Sequence, residues 1–299
     1  MIALTIDIED WYHVPTVTGS PFSKYKDTNE FFRKWKARYD YLTKPTKRVL
    51  DLLDEFNLKA TFFVVAEIIE HYPGLVKQIS DKGHEIACHG LHHSCKINPK
   101  TKKPLITRTE FTEQTLEAKK KLEEASSQEI IGYRAPNAYI AGWMIDILED
   151  IGFRYDSSVS VNSLYNKSDS HLNRVDSRPY YPQIGNLSPG MKRGILELPW
   201  SYLKFGLILP AAGGPMLRFF GTRFIIQALK QSLKRGHTVF YFHPIDISEE
   251  RFPNNFSGKR PFYWLNKGRV TEKRIIKILR YFNSEFTSCR DIVEEYFRR

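Results

Sequence analysis

An α/β barrel is the fold class that the sequence predicts, and three observations predict it. Short apolar or β-branched runs alternate with helical stretches, Gly, Pro or polar residues bound those runs, and five polar motifs fall directly after them. Strands that alternate with helices build a parallel sheet, and in a closed barrel the C-terminal ends of the strands share one face, the face that carries active sites.

The strand candidates are 3–6, 60–65, 85–88, 130–133, 153–155, 195–198 and 238–242. Helices are expected at 49–56, at 73–82 ending on Gly83, at 107–125, at 141–151 ending on Gly152, and at 223–235 ending on Gly236. Thr107 followed three residues later by Glu110 reads as a capping box. Two stretches break the rhythm. Residues 157–194 are rich in Ser, Asn, Pro and Gly, and 245–267 carry Phe252, Phe256, Phe262, Tyr263 and Trp264; both read as long loops, functional or disordered. Gly213-Gly214-Pro215 reads as a flexible loop that acts as a lid.

The 299 residues suffice for one large barrel or two average domains. With no repeat and no linker, a single domain over 1–299 is expected, with a motif-bearing core at about 2–246 and an extension over 247–299. No apolar run reaches the roughly 18–20 residues of a membrane span, and the start reads as a strand rather than a signal peptide. The expected location is the cytoplasm or the inner face of the membrane. Cys88, Cys95 and Cys289 are too few and too widely spaced for a disulfide framework or a paired-cysteine zinc site. The formal charge is +11, but the basic residues are scattered and no nucleic-acid module is present. A solvated basic face is the leading account of that charge; among partners, an anionic membrane surface or an acidic glycan fits it better than DNA.

The motifs carry the chemistry. Asp7-Ile8-Glu9-Asp10 crowds three carboxylates at the end of the first strand, which is unfavourable for ionised groups without a cation. His89 and His93 stand four apart after the third strand, a spacing that lets two imidazoles hold one metal ion while His92 points elsewhere. Arg134-Ala135-Pro136-Asn137, Asp156-Ser157-Ser158 and His243-Pro244 follow later strands. Each alone has a bland reading as a loop Arg, a turn or a structural His, but all five fall on one predicted face.

In this order the motifs resemble those of the polysaccharide deacetylases, the NodB-homology or carbohydrate esterase family 4 proteins, from Ile2 to about Pro244. The forms Thr5-Ile6-Asp7-Ile8-Glu9-Asp10-Trp11, Phe242-His243-Pro244 and Phe286-Thr287-Ser288-Cys289-Arg290-Asp291-Ile292 resemble the branch found in bacterial exopolysaccharide and O-antigen gene clusters. The resemblance implies a distorted (β/α)7 barrel and a hydrolase of non-peptide carbon–nitrogen bonds that releases acetate from N-acetylated sugars. It also implies a divalent metal, zinc first and cobalt or nickel as alternatives, held by one carboxylate and two histidines.

Carried over by residue, it makes Asp7 the base, Arg134 its partner, His243 the acid, and His89 and His93 metal ligands. The family's first motif has adjacent aspartates, whereas two residues separate Asp7 from Asp10 here. Strand alternation puts Glu9 on the side of Asp7, and side-chain similarity favours Asp10, so both stand as candidate ligands. The backbone N–H of Asn137 would meet the oxyanion. Asp156, Ser157 and Ser158 would shape the groove, and Trp11, Tyr12, Trp200 and Tyr202 would offer a sugar platform. The substrate partner is an N-acetylated sugar or glycan; oligomeric state is open. Two other readings share these residues: an amide hydrolase acting on a cyclic ureide or on peptidoglycan, and a non-catalytic glycan-binding module.

Overall fold

The structure is a computed structural model and describes residues 1–35, 40–250 and 265–298. Along the chain run β1 (Ile2–Ile8), α1 (Thr28–Lys34), α2 (Thr43–Glu55), β2 (Thr61–Val64), α3 (Ile68–His71), α4 (Leu75–Asp81), β3 (Glu85–Cys88), α5 (Arg108–Ser126), β4 (Gly132–Tyr133), α6 (Gly142–Asp150), β5 (Tyr155–Asp156), β6 (Leu196–Glu197), the hairpin β7 (Tyr202–Phe205) and β8 (Leu207–Pro210), α7 (Gly214–Leu233), β9 (Thr238–Phe242), α8 (Pro244–Ile247), α9 (Arg269–Tyr281), β10 (Phe286–Thr287) and α10 (Cys289–Arg298).

The wall of the barrel is parallel. β1 to β6 pair in chain order, and β9 pairs with β1 from Ile2↔Thr238 to Ile6↔Phe242. A parallel bridge, Trp200↔Val239, links the chain just after β6 to β9 and completes the ring. β10 pairs with Ile2 and Ala3 on the edge of β1 that β2 occupies further along. The alternation of side chains sorts the core into two layers. Ile2, Leu4, Ile6 and Ile8 pack outward with helix residues such as Val49, Leu53 and Ile278. Ala3 points inward and packs with Phe63, Ala87, Tyr155, Leu196 and Val239. Every residue of β1 is buried, as expected of a parallel strand covered on both faces.

All seven anticipated strands are present, with β4, β5 and β6 shortened to two residues each. The anticipated capping box forms: Thr107 Oγ1 accepts the Glu110 N–H at 3.1 Å, and Glu110 returns to the Thr107 N–H at 2.7 Å. Gly83 and Gly152 close their helices at φ +76° and +83°. α2 starts earlier than expected because Pro45 sits in its first turn, where no backbone hydrogen bond is lost. The β7–β8 hairpin, β10 and helices α1, α9 and α10 were not anticipated. The segment 157–194 is largely irregular, as expected. The aromatics Phe252, Phe256, Phe262, Tyr263 and Trp264 lie outside the described residues.

One expectation is corrected. Gly213-Gly214-Pro215 is not a free loop but the start of α7, which extends the helix expected at 223–235 toward the N-terminus across a break at Gly221 (φ +77°). Gly213 bridges Tyr241 of β9 with φ +140°, and a Cβ there would lie 1.7 Å from the Tyr241 carbonyl oxygen. Gly213→Ala is therefore expected to destabilise the protein by about 1–3 kcal/mol, the usual cost of overpacking. A thermal melt indistinguishable from that of the parent would show that this contact does not fix α7 to the barrel.

Candidate active site

The C-terminal ends of the strands converge on one face. Thr5, Asp7 and Glu9 alternate on the inner side of β1 and its extension, and β3, β4 and β9 deliver His89, Arg134 and His243 to the same place. A cavity of about 110 Å³ opens there, lined by Asp7, Glu9, His89, His93, Arg134 and His243 together with Asn137, Lys167, Trp200 and Tyr241.

Arg134 is fully buried. Its Nη1 donates to Asp7 Oδ1 at 2.6 Å and to Thr5 Oγ1 at 2.9 Å; its Nε and Nη2 donate to the carbonyl and hydroxyl of Ser157, each at 2.9 Å. The guanidinium also lies 4.0 Å from the centre of the Phe63 ring, a cation–π contact. The base candidate and its cation are thus fixed as a unit in the barrel mouth.

Glu9, His89 and His93 form the metal-competent group, with one donor atom from each within 4.8 Å of the others. His89 Nδ1 lies 2.7 Å from the Arg134 carbonyl, and His93 Nδ1 lies 2.9 Å from the His13 carbonyl. A carbonyl only accepts, so in each ring Nδ1 carries the proton and Nε2 is left with its lone pair in the neutral form. Burial pushes the His89 pKa down to about 4, which keeps that ring neutral. Glu9 bridges the imidazoles, with Oε2 2.6 Å from His93 Nε2 and Oε1 3.1 Å from His243 Nε2. Burial opposes its charge, but the two imidazoles hold its carboxyl well below the usual range. One carboxylate and two Nε2 donors fit a catalytic divalent-metal site with positions left open.

His243 is in a different setting. Its Nδ1 lies 3.0 Å from Asp246 Oδ2, and Asp246 in turn pairs with buried Arg218 at 3.3 Å. Burial works against a charged ring here too, yet Glu9 and Asp246 outweigh it and hold the His243 pKa well above its ordinary value. Its Nε2 is 4.0 Å from Asp7 Oδ2, so acid and base candidates face one space.

Several expected site residues stand elsewhere. Asp10 does not join the metal group: its carboxylate caps the 3-10 turn Trp11–His13 through the Trp11 N–H at 2.7 Å and accepts from the Tyr72 hydroxyl, and burial raises its pKa to about 7. Asp156, Ser157 and Ser158 are fully buried and do not line the cavity. Ser157 holds Arg134, while Ser158 accepts the Ala135 N–H at 2.8 Å and donates to Asp156 at 2.7 Å. Trp11 and Tyr12 pack against Phe31 in a separate aromatic cluster, so neither is a sugar platform. Tyr202 lies under Arg235, away from the cavity. Trp200 does line the cavity, its ring 4.5 Å from that of Tyr241 and its N–H donated to the Ser157 carbonyl. Asn137 lines it as well, in a left-handed turn at φ +58°. His92 turns away to Glu67, as its register required.

Residues 37–155 match the family described as polysaccharide deacetylase, and residues 164–294 match a domain of unknown function, DUF3473. The polysaccharide deacetylase match spans less than half of the chain, and the relatives it resembles support a member of that family. It is 29% identical over 109 residues to a peptidoglycan-N-acetylglucosamine deacetylase of Bacillus cereus, a match that covers 36% of this chain and 47% of that protein. It is 27% identical over 139 residues to a peptidoglycan deacetylase of Helicobacter pylori, covering 46% of this chain and 41% of that one. The chain thus spans less than half the length of these relatives. In fold it is similar to a Mycobacterium smegmatis protein assigned to the polysaccharide deacetylases, with TM-score 0.61, 20% identity, and 98% and 88% of the two chains covered. It is also similar to the Puue allantoinase, with TM-score 0.60, 16% identity, and 99% and 89% covered. These likenesses establish the distorted (β/α)7 barrel. The deacetylase match contains His89, His93 and Arg134; the barrel brings Asp7, Glu9 and His243 to them from outside it.

Sequence reasoning missed Asp246, Lys167, Tyr241 and the Glu67–His13 pair. Asp246 had a signal, since it stands three residues after His243 across a Pro-initiated turn. Glu67 accepts from His13 at 2.9 Å and lies 2.8 Å from His92, and His13 supplies the carbonyl that fixes His93; nothing local in the sequence marks it.

The metal group yields a direct test. Glu9→Gln and His89→Ala are expected to lose stoichiometric divalent metal, whereas Asp10→Asn keeps it, because Asn caps a helical turn nearly as well as Asp. Elemental analysis of the purified, folded variants decides; metal lost from Asp10→Asn but kept by Glu9→Gln would reverse the assignment.

Proposed function

We propose that this chain is a metal-dependent N-deacetylase of acetylated glycans, hydrolysing the acetamide of an N-acetylated sugar to acetate and a free amine. The observation that carries the reading is the arrangement around the cavity. A carboxylate–bis-imidazole group is flanked by the Asp7–Arg134 pair and by the His243–Asp246 pair, and all are within reach of one small substrate group. The donor set of two imidazoles and one carboxylate favours zinc. Bound by Glu9, His89 and His93, that ion would supply Lewis acidity toward the acetamide carbonyl and the attacking water.

The chain's own residues supply the rest. Asp7, held by Arg134, takes a proton from water as its oxygen adds to the acetamide carbon. Asn137 lines the cavity, and its backbone N–H would meet the carbonyl oxygen as that oxygen becomes negative. His243, held at Nδ1 by the Asp246 carboxylate, gives its Nε2 proton to the nitrogen as the carbon–nitrogen bond breaks, so the amine departs neutral. Trp200 and Tyr241 wall the cavity and exclude water from one side. The same barrel hosts a structure described as a carbohydrate esterase family 4 pseudoenzyme from Bacillus anthracis, so fold alone does not argue for catalysis. The complete donor set and both acid–base pairs support an active enzyme here.

Three outcomes are expected. Chelation should abolish acetate release from N-acetylglucosamine oligomers, and added zinc should restore it. Asp7→Asn should lower turnover by about two to four orders of magnitude while metal stays bound, the usual contribution of general catalysis. His243→Ala should slow amide hydrolysis far more than hydrolysis of an activated acetate ester, whose leaving group needs little protonation. Equal losses on amide and ester, with metal and fold intact, would remove the general-acid role.

A further inference from the structure

The catalytic cavity does not end at the acetamide site. A second cavity of about 170 Å³ adjoins it and shares Lys167, Trp200, Pro215 and Tyr241 with it. Its far wall includes Asn162, Tyr165 and Met216. Lys167 therefore stands at the junction of the two. Its ammonium donates to the Asn137 carbonyl at 2.9 Å, and among the described residues no carboxylate lies within 4.0 Å of it. An ammonium carries three donors and is costly to bury without a counter-charge.

A second cation stands beside it. Lys102 lies 4.5 Å from the centre of the Tyr165 ring and 3.3 Å from its hydroxyl. Tyr165 is tied to Tyr139 at 2.9 Å and to the Pro99 carbonyl at 2.7 Å. Burial brings the Lys167 pKa down to about 8; Lys102 works in the same direction, while Cys95 and Glu9 oppose the shift. Lys167, with no carboxylate within 4.0 Å among the described residues, thus lines a cavity that leads into the metal group, and Lys102 stands outside that cavity against Tyr139 and Tyr165.

We propose that this second cavity is a subsite for an anionic group, carboxylate or phosphate, on the glycan next to the acetamido sugar, with Lys167 as its direct partner and Lys102 as a reinforcing charge. The inference rests on the deacetylase reading for the adjoining cavity and names the class of glycan that it selects. One charge-assisted hydrogen bond in a partly desolvated site corresponds to about 10- to 100-fold in affinity.

The test measures binding and acetate release separately, on the metal-loaded chain, with three tetrasaccharides. One is neutral N-acetylglucosamine, one alternates glucuronate with N-acetylglucosamine, and one is the neutral tetramer carrying a reducing-end phosphate. At least one anionic tetramer is expected to bind 10- to 100-fold more tightly than the neutral one, and which of them does so separates carboxylate from phosphate. The gap should narrow as salt is raised, vanish in Lys167→Met and persist in Lys167→Arg. Lys102→Gln should narrow it without removing it. If Lys167 only braces the Asn137 turn, Lys167→Met weakens all three tetramers alike, which overturns the proposal. Absence of any preference in the parent protein overturns it without a variant. Tight, salt-sensitive binding of an anionic tetramer with no acetate released from any of the three would support the subsite while overturning the deacetylase reading.

Discussion

The buried ion pair between Asp7 and Arg134 is the constraint around which the barrel mouth is built. Taking a guanidinium and a carboxylate out of water costs several kcal/mol per ion, and the attraction between them offsets that only if the remaining donors are met. Here they are met from two strands: Thr5 and Asp7 on β1, and Ser157 just after β5, all bonded to Arg134 at the end of β4. Breaking one member would leave a stranded charge, a loss of about 3–5 kcal/mol in comparable sites. The pair thus ties the register of β1, β4 and β5 together at the level where the chemistry is proposed. The Asp156-Ser157-Ser158 motif belongs to that frame, because Ser158 receives the Ala135 N–H and fixes the turn that follows Arg134.

The same frame explains why some of this was legible in the sequence and some was not. Alternation along β1 sorts Ala3, Thr5, Asp7 and Glu9 to the inside from chain order alone, so Glu9 could be placed beside Asp7 before any coordinates. What alternation cannot show is that Asp10 has a competing partner. Tyr72 is 62 residues away, and its hydroxyl, with the Trp11 N–H, claims the carboxylate. Trp11 and Tyr12 were misread for a related reason. Lying beyond a strand end does not say which way a side chain turns, and α1 brings Phe31 against both rings, with Trp35 just after it against Trp11. Lys167 comes from an irregular segment, where neither periodicity nor capping marks a residue as pointing into a cavity.

The metal group also depends on parts that no motif names. His93 is oriented by the carbonyl of His13, whose own ring accepts the Asp10 N–H and is held by Glu67. Glu67 is almost buried and meets two imidazoles and the Thr28 hydroxyl, which keep its carboxyl far below the ordinary range against the effect of burial. Asp10 stands outside the metal-competent group and supports it by capping the turn that carries His13. Outer partners of this kind fix ring orientation and tautomer, and their loss typically costs about 10–100-fold in metal affinity.

Three imidazoles meet in this cavity, and their environments divide them into two kinds. His89 and His93 each place Nδ1–H on a backbone carbonyl, an uncharged acceptor that fixes the tautomer. For His89, burial then decides the balance against protonation. His243 alone of the three places Nδ1 on a carboxylate, that of Asp246, and this charge together with Glu9 tips the balance toward the cation despite burial. A neutral ring with a free lone pair suits metal ligation, and a ring that keeps its proton suits delivery of that proton to a leaving amine. Environments that push like groups apart in this way are the usual physical basis for dividing labour in an active site. In this chain, the acceptor at each Nδ1 is what separates the residues proposed to hold an ion from the one proposed to give up a proton.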